Sequence, residues 1–244
     1  MLAAVELTKT FGSVVALNRL SLTVNSGEIT CLLGANGAGK TTTINLFLGF
    51  IEPSSGTATV DGTNVQEAPV KTKRSLAYIP EQVALYPALT GAENLEFFSS
   101  LAGQPLRTKA SLYEFLGDVG IDRTTADRPV SEYSKGMRQK VGIAAALAKE
   151  ASSLLLDEPL SGLDPKAANE FVTVLRSVRD RGAAVLMATH DIFRSKDIAT
   201  RIGIMRSGHL VDELDPGSLK HAELEAIYLR HMHDDAGSIS EVAS

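Results

Sequence analysis

Apolar and polar residues alternate at Val5 and Leu7 and again at Leu20, Leu22 and Val24, the period of strands buried on one face. Asn25-Ser26-Gly27 is a turn signal. The run after it, residues 29–33, is nearly unbroken apolar, which predicts a strand covered on both faces. A glycine-rich loop leads to a helix-patterned stretch over residues 40–48, and residues 57–60 and 76–79 are further strands. From about residue 90 to 150 the spacing turns helical, with Leu95, Phe97, Phe98 and Leu101, then Leu112, Phe115, Leu116 and Val119. Strands return at 153–157 and 184–188 with a helix over 167–179 between them, a pattern that predicts parallel pairing through a right-handed crossover. Residues 202–205 and 210–211 about Ser207-Gly208 predict a closing hairpin. Residues 218–232 read as a terminal helix and 234–244 as a disordered tail. The reading is an α/β domain over 1–217 with a helical insertion at about 90–150, followed by a C-terminal helix and tail over 218–244.

Composition narrows the class. The chain has 244 residues, 44% apolar and 22% charged, enough for a sizeable core. Lys plus Arg number 24 against 29 Asp plus Glu, a net charge of -5, so a nucleic-acid partner is not expected. The absence of Trp and a 5% share of aromatics weigh against a base-stacking platform. No apolar run approaches the roughly 20 residues of a spanning helix, and residues 1–6 lack the features of a signal peptide. Cys31 is the single cysteine, so an internal disulfide is impossible. A cytoplasmic protein is the expectation.

Gly34-Ala35-Asn36-Gly37-Ala38-Gly39-Lys40-Thr41 fits G-x-x-x-x-G-K-[ST] at every fixed position, between an apolar strand and a helix. Glycines let successive amides turn toward one anion and let the chain approach it closely. The helix start adds its positive end, Lys40 a mobile charge for the β and γ phosphates, and Thr41 a hydroxyl for Mg²⁺. Asp157 and Glu158 follow the apolar strand 153–157. At the ligand edge of a parallel sheet Asp157 can hold Mg²⁺, and Glu158 can polarise a water at the γ-phosphate.

With residues 160–164 (Leu-Ser-Gly-Leu-Asp) and His190 at a strand end, these motifs make the chain resemble the nucleotide-binding subunit of an ABC transporter over about residues 3–215. The resemblance implies a P-loop, RecA-like core with a mixed sheet, an N-terminal antiparallel β part and a helical subdomain. It implies ATP and Mg²⁺, with Asn36, Gly37, Ala38, Gly39, Lys40, Thr41 and Thr42 at the phosphates. Glu158 is then the catalytic base, with Lys40 and His190 contacting the γ-phosphate. Tyr133-Ser134-Lys135-Gly136-Met137 stands where the family has its L-S-G-G-Q signature. Ser134 and Gly136 match and would contact the nucleotide of a facing subunit; Tyr133, Lys135 and Met137 depart. Phe11 stands where an aromatic stacks on adenine, a core Phe being the other reading. Glu81 stands where the family places a Gln that ligates Mg²⁺, and could still ligate a hard cation through oxygen.

Residues 79–87 and 133–140 are similar to the exporter branch, in which two ATPase subunits serve a separately encoded membrane permease. The partners implied are permease subunits and a second copy or homologous ATPase subunit, with the chain peripheral on the cytoplasmic face of the membrane. Val83, Leu85, Tyr86, Pro87 and Leu89 are the candidate docking stretch, a subdomain joint being the alternative. A soluble ABC ATPase acting on ribosomes or DNA is the rival class. An accessory ATPase for metalloenzyme maturation is another, with residues 231–235 (His-Met-His-Asp-Asp) as a copper tail or simply a solvated one.

Overall fold

The computed structural model describes residues 1–104 and 107–233, without the side chain of His233; the expected tail lies outside them. The chain opens with two long antiparallel strands, β1 (Leu2–Phe11) and β2 (Val14–Val24), and the buried strand β3 (Ile29–Leu33). Helix α1 (Lys40–Leu48) leads to β4 (Ser55–Val60), β5 (Thr63–Asn64), α2 (Pro69–Ser75) and β6 (Leu76–Ile79). Four helices make the insertion: α3 (Gly91–Leu101), α4 (Lys109–Asp118), α5 (Arg123–Ala126) and α6 (Lys135–Ala148). Then come β7 (Ser153–Asp157), α7 (Pro165–Asp180), β8 (Ala184–Thr189), α8 (Ile192–Ile198), β9 (Arg201–Arg206), β10 (His209–Leu214) and α9 (His221–His233).

Two sheets result. One is antiparallel in the order β2-β1-β4-β5; the other runs β10-β9-β3-β8-β7-β6 and is parallel except for β10. The fold is the α/β class the pattern indicates. Alternate residues of the central strands serve two different layers. Cys31, Leu33, Leu154, Leu156, Val185 and Met187 join the helices of the insertion, α7 and α8, while Leu32, Leu155, Leu186 and Ala188 join α1 and the antiparallel sheet. Both faces are covered, so the strands are apolar throughout.

The first strand is where simple alternation fails. Its pairing slips between Ala4 and Leu7, and Glu6 and Arg19 hold φ of 47° and 49° on the two partner strands. The bulge re-aims the side chains, so Leu7 is buried and Val5 is 56% exposed. Helix α2 escapes pattern reading because Thr72 is its one buried residue. The closing hairpin turns through Ser207 and Gly208, at φ 47° and 81°, two positive values as a tight two-residue turn requires. Helix α9 packs on the large core through Leu224, Ile227, Tyr228 and Met232. Arg206 donates to the carbonyl of His231, and the His231 ring meets Asp212 at 2.9 Å.

Candidate active site

Strand register brings the motifs together. Leu33 pairs with Thr189, and Asp157 with Ala188. Residues 34–41, Asp157-Glu158 and His190 therefore leave adjacent strands at one sheet edge, where ligands of such sheets bind. Gly34 has no room for a side chain, since a Cβ there would lie 2.4 Å from the Met205 carbonyl oxygen. Gly39 holds φ 104° at the start of α1, and a Cβ on it would lie 2.7 Å from the carbonyl oxygen of Ala16. Ala35, Asn36, Gly37 and Thr41 are exposed, Thr42 half-buried, Ala38 and Gly39 buried. The loop is thus fixed from behind and open in front.

The Lys40 ammonium is buried and donates to the carbonyls of Gly34 at 2.5 Å and Ala35 at 3.1 Å. Burial pulls its pKa below the usual lysine range, while Glu158 and Asp157 oppose that shift. Its Nζ lies 4.0 Å from Glu158 Oε1. The same carboxylate oxygen meets His190 Nδ1 at 2.9 Å. Glu158 itself has φ 47°, and its N–H donates to the Ala188 carbonyl at 2.9 Å. The chain turns sharply there while still tied to β8, an unusual backbone of the kind concentrated at functional sites.

The Thr41 side chain stands beside Asp157. Burial raises the Asp157 pKa, the neighbouring Thr41 side chain opposes this, and the charge of Glu158 adds to the rise. A pair of oxygen donors beside crowded carboxylates suits a hard cation that keeps most of its water or phosphate ligands. No cluster of three or more His, Cys, Asp or Glu side chains that could cage a metal occurs among the described residues. Glu81 is engaged by two other side chains. Its Oε1 accepts from Ser161 Oγ at 3.0 Å and Lys135 Nζ at 3.4 Å, and these bonds hold its carboxyl below the usual carboxylate range.

Phe11 closes β1 and is 49% exposed, with Lys9 Nζ 4.9 Å from its ring centroid, so it is no core residue. Ser134 caps α6 by accepting from the Met137 amide at 3.3 Å. Gly136 is buried, and a Cβ there would lie 3.1 Å from that of Ala167, so α6 packs closely on α7 at this position. Pattern reading missed Asn94. Fully buried, it accepts from the Tyr86 amide and donates to the carbonyls of Tyr86, Leu89 and Thr90, fixing the loop after β6. It missed Gln139 as well, whose amide donates to the Glu81 carbonyl at 2.9 Å. A buried polar residue on an apolar helix face is the signal that marks both.

A strand–loop–helix phosphate cradle with Asp157 and Glu158 two strands away defines a P-loop nucleoside triphosphatase. The family model described as "ABC transporter" matches residues 17–161. The bacitracin transport ATP-binding protein of Enterococcus faecalis is 36% identical over 88% of this chain and 69% of its own length. The lipopolysaccharide export ATP-binding protein of Haemophilus influenzae is 33% identical over 94% of this chain and 97% of its own. A dimeric ATP-binding cassette solved in a post-hydrolysis state with ADP and Pi superposes at TM-score 0.78, with 25% identity, over 88% of this chain and 99% of that one. The chain belongs to the ABC transporter family and is one of its ATP-binding, ATP-hydrolysing subunits.

Proposed function

We propose that this chain powers a membrane exporter by hydrolysing ATP in a head-to-tail pair of such subunits, docked on the cytoplasmic side of a separately encoded permease. Among the described residues no helix is long and apolar enough to cross a membrane, in keeping with peripheral attachment. The observation that carries the chemistry is Glu158 held between Lys40 and His190 at the mouth of the phosphate loop. Phosphoryl transfer of this type relies on positioning and charge neutralisation. The loop amides and Lys40 hold the phosphates, and phosphate oxygens replace the carbonyls that Lys40 now engages. Glu158 orients the attacking water and takes its proton. His190, with its proton on Nδ1, donates to the Glu158 carboxylate and keeps it aimed. Thr41 and Asp157 would hold Mg²⁺, with Glu81 assisting; bound there, the ion would neutralise charge on the β and γ phosphates. Phe11 would stack on the base, while Ser134 and the N-terminus of α6 would close the site of the facing subunit.

The docking surface is an apolar groove of about 510 Å³ between the central sheet and the insertion, lined by Val83, Leu85, Phe98, Leu101 and Ala145 among others. Its charged lining residues are Lys73 and Lys149, in a chain of net charge -5. That suits a short amphipathic helix of the permease with a carboxylate at one end. Purified Glu158→Gln tests the chemistry. ATP should bind and drive formation of a stable dimer, with turnover down ~10²-fold or more. Hydrolysis near the parent rate would remove Glu158 from the role.

A further inference from the structure

Two of the positions at which the chain departs from its family's pattern, Glu81 and Lys135, lie 54 residues apart and touch. Lys135 is the first residue of α6, directly after the Ser134 cap. A cation there is opposed by the positive end of the helix and needs a neighbouring anion. Glu81 supplies it at 3.4 Å, with the Ser161 hydroxyl on the same carboxylate oxygen. The main chain of Glu81 is fixed separately by Gln139, so its side chain can exchange partners by rotation while its backbone stays in place. The side chain is half exposed. Replacing Glu81 by a neutral amide would leave Lys135 without its counter-charge. The pair therefore links the strand end beside the phosphate site to the helix start that addresses the facing subunit.

We propose that Lys135 is a positioning residue for its own subunit's phosphate site: with Ser161 it holds Glu81 aside, and Mg·ATP withdraws Glu81 and frees the Lys135 ammonium. This rests on the ATPase reading above. The freed charge adds to the positive field at the N-terminus of α6, so filling one site strengthens the grip on the nucleotide across the dimer.

The test uses the full chain in the Glu158→Gln background, reading fluorescent ATP-analogue binding as Mg²⁺ is titrated, and dimer fraction by size-exclusion chromatography. Lys135→Ala should lower the Mg²⁺ midpoint about two- to fivefold, the scale of a partly exposed ion pair, and weaken ATP-driven dimerisation. Lys135→Arg should restore the parent midpoint. With Glu81→Gln also present, Lys135→Ala should no longer move the midpoint. An unchanged midpoint in the first variant would overturn the proposal. So would an equal shift with Glu81→Gln present, because a long-range effect of the lysine charge needs no contact with Glu81. A parent chain that binds no Mg·ATP would instead overturn the ATPase reading itself.

Discussion

Gly34 and Lys40 belong to one loop and answer to different demands. Gly34 is pressed against the Met205 carbonyl, so Gly34→Ala should cost about 2 kcal/mol or more through forced backbone movement, seen as a lower melting temperature without nucleotide. Lys40→Ala should keep the fold and lose ATP binding; unchanged nucleotide affinity would refute its role. Asp157 gives a third contrast. Its pKa is raised by burial, so the folded chain favours the protonated carboxyl. That contribution to stability is complete below the unfolded pKa and is lost as pH rises through the folded one. At neutral pH Asp157→Asn should therefore raise the melting temperature of the nucleotide-free chain while reducing the further rise that Mg·ATP gives. A lower apo melting temperature would contradict this. Lys40, Thr41, Asp157 and Glu158 were legible in sequence because the phosphate loop is contiguous and the carboxylates end an apolar run. The Glu81–Lys135 contact and the capping of the 86–90 loop by Asn94 were not, because each depends on how the insertion packs.

At the scale of elements, legibility followed coverage. Strands β3, β7 and β8 stood out as apolar runs because layers lie on both faces, whereas β1 and β2 were broken up by their bulges. The short helices α2 and α8 bury too little apolar surface to show a period. The joint between insertion and core likewise hides in sequence. Lys149, just past α6, donates to the carbonyls of Lys73 and Leu76 at 2.7 and 2.6 Å, and so caps the end of α2. Burial lowers its pKa. Lys149→Met removes both bonds and should destabilise the chain by roughly 2 kcal/mol, given the usual strength of hydrogen bonds to charged groups. For a chain of this size that is a fall of about 4–8 °C in melting temperature. A variant melting with the parent would show that the joint holds without it.

For the whole molecule the proposed docking surface is the groove between core and insertion. Val83 and Leu85 both line it and pack on the core, so they belong to the joint between the two and, on the proposed reading, also meet the permease. Tyr86 separates the two roles. It is 50% exposed, its ring against Phe97 at a centroid distance of 4.8 Å. Tyr86→Asp should leave the isolated subunit folded with its basal ATPase, and abolish co-purification with the permease. Lys73→Glu should weaken that association and make it less sensitive to salt. Loss of basal activity in Tyr86→Asp would assign the residue to the core.

The loop that carries Tyr86 is held by one buried side chain, Asn94, through four hydrogen bonds. Asn94 is part of α3, so these bonds tie the loop directly to that helix. In mechanical language, if the permease seats on this loop as proposed, the linkage has little slack: a displacement of the insertion is passed on to the permease, and load from the membrane returns by the same route. Asn94→Ala would turn this rod into a spring, leaving hydrolysis to run while less of its stroke is delivered.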